Sequence, residues 1–498
     1  MNPELNIVRN VPLQWATDSP DTIFAVENPA TGAVVAQVQG STPEDVDRAV
    51  RYAHNIWKSD WRWRPFMERS ALLGDCARLL ARHAVEIARL EALEMGKPFT
   101  QAMGDVAACV NSFKMFSAFS YTLPNHSKDE GPALNISILE PYGVVGGIIP
   151  FNWPPIHAAA KIAPALAVGN CIVVKPPEQA PSSILRVVEL INTILPEGVV
   201  GAVCGFGPIG EALAKHPLIR MVSFTGSPQV GAKVLHSLAD KFTPSIMELG
   251  GKNPLIIFED ADVDLAIRWV IDGAFFNQGE ACTAASRILV HRSHHDYVAG
   301  KVAAAVKKLR VGDPMDPKTH IGPLVSPSQQ ARVMEYLDIG VKEGAVIAAQ
   351  APLPTDEKYK NGCWAPPTLF VNVTSDMRIA REEIFGPVTA IIPFDTYEEV
   401  IEIANSVEFG LVAGVFSRDF ATCWRASREI EAGLVFANNY SRQYHSGGTP
   451  FGGIKSSGFG REHTLETIKE FGYTKNMRVL TGIGDVPRWF AVSEVLGG

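Results

Sequence analysis

The sequence predicts an α/β protein built on two parallel sheets, with a small separate β element attached. Three observations carry that prediction. Between Gly143 and Leu249 short β-branched runs alternate with helical patterns. A second series of the same kind begins at Leu255, and two segments, 128–140 and the tail from Phe471, belong to neither. Apolar strands separated by amphipathic helices are what a sheet covered on both faces requires.

In the first series the strands fall at 143–149, 171–175, 201–204, 221–224 and 245–247. Between them, Ile184, Val187, Val188, Ile191, Ile194 and Leu195 keep i, i+3, i+4 spacing behind a Pro-Ser-Ser start, as a crossover helix does. The sheet is therefore expected to be parallel and doubly wound. The second series places strands at 255–258, 288–290, 388–393, 411–416 and 434–437, with helical patterns at 263–276, 294–309, 396–406 and 418–430. Helices at 43–57 and 67–94 should pack around the first sheet, while 128–140 and the tail pair with each other or with a neighbouring subunit.

A chain of 498 residues is too long for one core and should divide into domains. With 46% hydrophobic and 20% charged residues it has globular composition, and a net charge of −8 argues against nucleic-acid partners. The N-terminus lacks the basic-then-apolar order of a signal peptide, and no run reaches the ~18 apolar residues of a membrane span. A cytoplasmic protein without membrane partners is expected.

Seven cysteines make an odd count with no C-x-x-C pair, which indicates neither a disulfide framework nor a zinc site. Cys76, Cys109, Cys171 and Cys204 lie in apolar runs and read as core. Cys282 differs. It sits in Phe275-Phe276-Asn277-Gln278-Gly279-Glu280-Ala281-Cys282-Thr283, a glycine-bent loop where backbone N–H groups can lower a thiol's pKa or bind an oxyanion, so it is a candidate nucleophile. His291, His294 and His295 read as a solvated helix start rather than a metal site.

Two glycine turns compete for a phosphate. Gly205 to Gly210 matches G-x-G-x-x-G, but no acidic residue ends a strand about 20 positions on, as the dinucleotide fingerprint requires. In Phe224-Thr225-Gly226-Ser227-Pro228-Gln229-Val230-Gly231 a strand stops, a hydroxyl is presented and a helix begins with free N–H groups. Upstream, Lys175-Pro176-Pro177-Glu178 leaves an ammonium and a carboxylate suited to ribose hydroxyls at another strand end. Together they suggest the crevice where ligands bind in open α/β sheets.

Seven blocks then occur in order: Pro150-Phe151-Asn152-Trp153-Pro154, Lys175-Pro176-Pro177-Glu178, Phe224-Thr225-Gly226-Ser227, Met247-Glu248-Leu249-Gly250-Gly251-Lys252-Asn253-Pro254, Asn277-Gln278-Gly279-Glu280-Ala281-Cys282, Glu382-Glu383-Ile384-Phe385-Gly386-Pro387 and Pro450-Phe451-Gly452-Gly453-Ile454-Lys455-Ser456-Ser457-Gly458. In these the chain resembles the aldehyde dehydrogenase superfamily, NAD(P)-dependent, non-phosphorylating and of the hydrolytic type. The resemblance implies a Rossmann-type dinucleotide-binding domain (1–121 and 143–249), an α/β catalytic domain (250–469) and β oligomerisation segments (122–142 and 470–498) in a homodimer or homotetramer.

It also implies roles. Cys282 attacks the aldehyde, its own N–H and the Asn152 amide hold the oxyanion, hydride leaves for the nicotinamide, and Glu248 activates the water that hydrolyses the thioester. Lys175 and Glu178 take the adenosine ribose, Gly226 and Ser227 the pyrophosphate, and Gly231 lies in the helix behind. Gly207 is a close-approach residue on the adenine side, and Glu383 and Phe385 meet the nicotinamide ribose and ring. Glu178 would repel a 2′-phosphate, which favours NAD over NADP. Lys161 and Glu462 match a proton-relay pair, equally readable as a structural ion pair.

The commoner Trp-Asn-Phe order stands here as Phe151-Asn152-Trp153, which changes the tunnel lining, and Ala281 and Thr283 flank the thiol. Phe151, Trp153, Phe276, Tyr440 and Phe451 suggest an apolar or aromatic aldehyde. The loop 439–448 should border the tunnel mouth, with Arg442 facing an anionic or hydroxylated substrate or simply solvent, and His445 beside it. The alternatives are a CoA-acylating enzyme, a semialdehyde-specific one, or a non-catalytic structural or binding member of the fold. Retention of Cys282, Asn152 and Glu248 disfavours the first and the last.

Overall fold

A computed structural model of the chain describes residues 7–8, 22–123, 125–440, 448–480 and 494–495. The β-branched runs of the first series become the strands Val144–Ile148, Cys171–Lys175, Val200–Ala202, Ile219–Thr225 and Ser245–Glu248. Every residue of the first two is buried, as a sheet covered on both faces demands. They lie in parallel with Val144–Ile148 in the middle, between Ile219–Thr225 and Cys171–Lys175. Strand order thus reverses beside Val144–Ile148, and the carboxyl ends open a crevice there. Val46, Leu73 and Phe113, from helices before the sheet, share its core.

A seven-stranded second sheet runs Val346–Gln350, Thr368–Val371, Val388–Phe394, Ala285–His291, Asn253–Ile257, Val412–Phe416 and Leu434–Ala437. Only Val346–Gln350 is antiparallel to its neighbour. That strand, Thr368–Val371 and the helix Pro327–Lys342 escaped the sequence reading because the strands are short and Val346–Gln350 is largely uncovered. So did the hairpin Ile23–Asn28 with Ala33–Gln39 and the helix Phe99–Phe119.

Three expectations are corrected. The 67–94 helix is two, Phe66–Arg82 and Ala84–Met95, because the His83 N–H turns to the Leu79 and Leu80 carbonyls and closes the first. The 182–195 helix ends at Ile191. The expected 250–469 domain does not stay with one sheet: Gly458–Phe459 pairs antiparallel with Ser245–Glu248, and Ile468 enters the first core. The chain therefore crosses back to deliver Glu462 beneath the first sheet.

Segments 128–140 and the tail pair with each other. Ala133–Pro141 runs antiparallel to Gly472–Leu480 from Pro141↔Gly472 to Ala133↔Leu480, and His126–Asp129 adds a third strand. Among the described residues no helix is long and apolar enough to cross a membrane.

Candidate active site

Cys282 owes its position to backbone strain just before it. After the helix Val263–Phe275, Asn277, Gln278 and Gly279 all adopt left-handed φ (54°, 56° and 67°), which reverses the chain. A Cβ at Gly279 would run into the Gly386 carbonyl, so only glycine fits. From below, Asn253 Nδ2 donates to the Cys282 and Ala284 carbonyls at 2.7 and 2.9 Å, and the Tyr440 hydroxyl donates to the Thr283 carbonyl at 3.0 Å. All seven cysteines are free, and Cys282 alone among them is not fully buried. Burial, with the charges of Glu383 and Glu248, pushes its thiol up, so the resting group is neutral.

Asn152 follows Val144–Ile148 at the sheet's carboxyl edge and is 3% exposed. Its backbone carbonyl accepts from Lys97 Nζ at 2.9 Å and from Asn277 Nδ2 at 3.1 Å, so one contact ties it to the nucleophile's loop. Lys97 is itself fully buried, paired with Glu91 at 2.7 Å and with Asp105.

Glu248 ends its strand at 3% exposure, with neither carboxylate oxygen partnered by protein. Burial first, then repulsion from Glu462, raises its pKa well above the usual carboxylate range. Gly452 makes room for it: a Cβ there would come 2.7 Å from Glu248 Oε1. Beside it Lys161 Nζ reaches Glu462 Oε1 at 3.0 Å and Thr225 Oγ1 at 2.7 Å. Burial works to raise Glu462, but the Lys161 ammonium overrides it and leaves the group low, while its neighbour Glu248 is raised.

A cavity of ≈ 680 Å³ opens between the two sheets' carboxyl edges, lined among others by Phe151, Asn152, Gly226, Ser227, Cys282, Glu383 and Phe385. Ser227 caps the helix Pro228–Ala239, accepting from the Val230 N–H, and turns that helix's positive end to the cavity. A Cβ at Gly226 would meet Phe224 Cζ at 2.6 Å, and one at Gly231 would meet Leu249 Cδ2 at 2.7 Å, so both glycines serve close packing of the turn and helix. Glu383 Oε1 accepts from the Gly251 N–H at 2.9 Å, and burial raises its pKa to about 7. Lys175 and Glu178 pair at 2.9 Å on their strand end. Gly207, first in the helix Gly207–Lys215, faces open space. A donor helix end, a close-approach turn and an ammonium–carboxylate pair suit a dinucleotide.

Of the expected tunnel residues, Phe151 lines this cavity and Tyr440 lies in the core. Phe151 stands edge-on to Phe385 at 5.7 Å and shares the cavity wall with Asn152 and Cys282. Tyr440 is 1% exposed and packed over Gly273 and Gly414, where a Cβ would strike its ring, so it props the Cys282 loop. Trp153 and Phe276 do pack about Cys282 with Ile156, and Phe451 is half-buried with its ring 6.1 Å from His463. Arg442 and His445 lie outside the described residues. Lys97, Asn277, Asn253 and Thr225 were not singled out from sequence, since an ordinary polar residue's burial is set by distant packing.

Residues 15–477 match the family model described as the aldehyde dehydrogenase family. The chain belongs to the aldehyde dehydrogenase family. It is 46% identical over 483 residues to the aldehyde dehydrogenase citD of Monascus ruber, covering 97% of this chain and 96% of that one. To retinal dehydrogenase 2 of Homo sapiens it is 39% identical over 477 residues, covering 94% and 90%. An NAD+ complex structure of an aldehyde dehydrogenase from Bacillus cereus superposes with TM-score 0.89 at 38% identity, covering 92% of this chain and 93% of that one. All seven sequence blocks of this aldehyde dehydrogenase lie within the matched span.

Proposed function

We propose that this chain oxidises an apolar or aromatic aldehyde to the free carboxylic acid with NAD. The observation that carries the reading is that Cys282, Asn152 and Glu383 line one cavity while an unpartnered Glu248 ends the neighbouring strand. NAD, when bound, supplies an acceptor for the aldehydic hydride. Lys175 and Glu178 would hold its adenosine ribose, with Glu178 favouring NAD over NADP. Gly226 and Ser227 would hold its pyrophosphate, Gly231 and Gly207 would allow close approach, and Glu383 and Phe385 would hold its nicotinamide end.

Cys282 Sγ passes its proton through water to Glu248 and adds to the carbonyl carbon, the carbonyl π pair moving onto oxygen. The resulting alkoxide faces the Asn152 amide and the Cys282 N–H, each such donor lowering the barrier by about 3 kcal/mol. Loss of hydride leaves a thioester on Cys282. Glu248 takes a proton from water, which expels the acid and restores the thiol. Lys161 and Glu462 carry that proton onward from Glu248. Trp153, Phe276 and Phe451 line the acyl side.

Residues 1–121 and 143–249 form the dinucleotide-binding domain in this reading, and 250–469 the catalytic one, whose last stretch from Gly458 crosses back to the first sheet. The segments 122–142 and 470–498 join the subunits of a homodimer or homotetramer, through the sheet that Ala133–Pro141 and Gly472–Leu480 form. The seven free cysteines fit the reducing cytoplasm. The test is NADH formation over a panel of aliphatic and aromatic aldehydes, with and without CoA. Free acid formed at a CoA-independent rate is expected; formation of acyl-CoA, or of no NADH with any aldehyde, overturns the reading.

A further inference from the structure

His157 stands on the helix Pro154–Val168, one turn beyond Trp153, and is 7% exposed with neither ring nitrogen partnered by protein. Its ring lies 6.2 Å from that of Trp153, and Trp153 packs in one cluster with Ile156, Phe276 and Cys282. Four residues further along the same helix face, Lys161 bonds Glu462 and Thr225. The imidazole therefore sits on the acyl side of the thiol, about 6 Å along the helix from the indole. His157 is not among the residues that line the cavity bordered by Phe151.

Resting on the aldehyde-oxidising reading above, we propose that His157 recognises a hydroxyl on the substrate's ring, so that hydroxylated aromatic aldehydes are this chain's preferred substrates. A neutral imidazole has one N–H donor and one lone pair, and a hydroxyl is the small group that answers both. Burial, then the Lys161 ammonium, lowers the His157 pKa to about 3, so it is neutral in the working range; Glu462, His463 and Lys97 also face it. A carboxylate would answer only the N–H and would stand near Glu462 and Glu248, while a hydrocarbon would leave both nitrogens unmet. The Trp153 and Phe276 rings, in one cluster with Cys282, suit a flat aromatic body that runs from the thiol past the indole towards His157.

The test is kcat/KM with NAD for 4-hydroxy- against 4-methylbenzaldehyde, and for the 3-substituted pair, in wild type, His157→Leu, His157→Met and His157→Gln. Intrinsic reactivity differences cancel when each variant's hydroxy-to-methyl ratio is divided by that of wild type. The ratio should fall about tenfold or more in the Leu and Met variants and be largely retained in Gln, which keeps a donor and an acceptor. Equal loss on both aldehydes, with the ratio unchanged, overturns the proposal in favour of a structural or proton-relay role. If wild type oxidises the methyl aldehydes but not the hydroxylated ones, recognition fails while the aldehyde-oxidising reading stands. If it oxidises none, that reading fails and the inference with it.

Discussion

Two carboxylates flank Cys282, and they are held differently. Glu383, on the cavity wall, has a backbone N–H on one oxygen and a pKa raised only to about 7. Glu248, on the other side, has no protein partner and is pushed well above the usual range by burial and by Glu462. The first environment favours a carboxylate that binds a hydroxylated ligand; the second keeps a group poised to change its proton. The same contrast runs through their surroundings. Each side also has a lysine–glutamate pair, Lys175 with Glu178 and Lys161 with Glu462, but only next to the second do the His157 nitrogens and Glu248 stand unmet.

The largest effect is expected where both sides meet. Cys282→Ala should lower kcat by at least about a thousandfold, because a lost nucleophile disables every later step. Steady-state NADH formation checks this, and near-normal turnover would remove the thiol from its assigned role. Lys97→Met comes next. It strands the buried Glu91 and Asp105 and removes one of the two donors to the Asn152 carbonyl, so stability should drop by about 3–5 kcal/mol in a denaturant titration. A variant as stable as wild type would show that Lys97 does not anchor this corner.

A smaller effect is expected in Glu383→Gln. The wild-type carboxyl is protonated below about 7 and ionised above it, and an ionised carboxylate is the stronger acceptor for ribose hydroxyls. The KM for NAD should therefore fall as pH rises through 7, by about tenfold, and the Gln variant should lack that step. Lys252, lowered by burial to about 7, lies in the field of Glu383, so the variant isolates the carboxyl's share. A profile identical in both proteins would separate Glu383 from cofactor binding.

How much of this was legible in sequence depends on how local the cause is. The strands around Val144–Ile148 and Asn253–Ile257 were readable because burial on both faces writes a continuous apolar run. Cys282 was readable because glycine and polar flanks mark a bent loop. The buried state of Lys97 was not, since a lysine after a helix reads as a solvated charge until Glu91, Asp105 and Asn152 close around it. Tyr440 misled for the same reason: an aromatic near a loop looks like a tunnel wall, and only the notches at Gly273 and Gly414 make it a core residue. The return of 458–471 to the first sheet is likewise set by long-range pairing.

The division of labour between the two carboxylates is tested most directly by mixing Glu248→Gln with aldehyde and NAD, quenching, and weighing the peptide that holds Cys282. That variant keeps the side chain's volume but not its basicity, so steady-state turnover should fall by about a hundredfold or more. One acyl group per site should be found on Cys282, formed with one equivalent of NADH. An unmodified Cys282 peptide in a variant still turning over at the wild-type rate would contradict it.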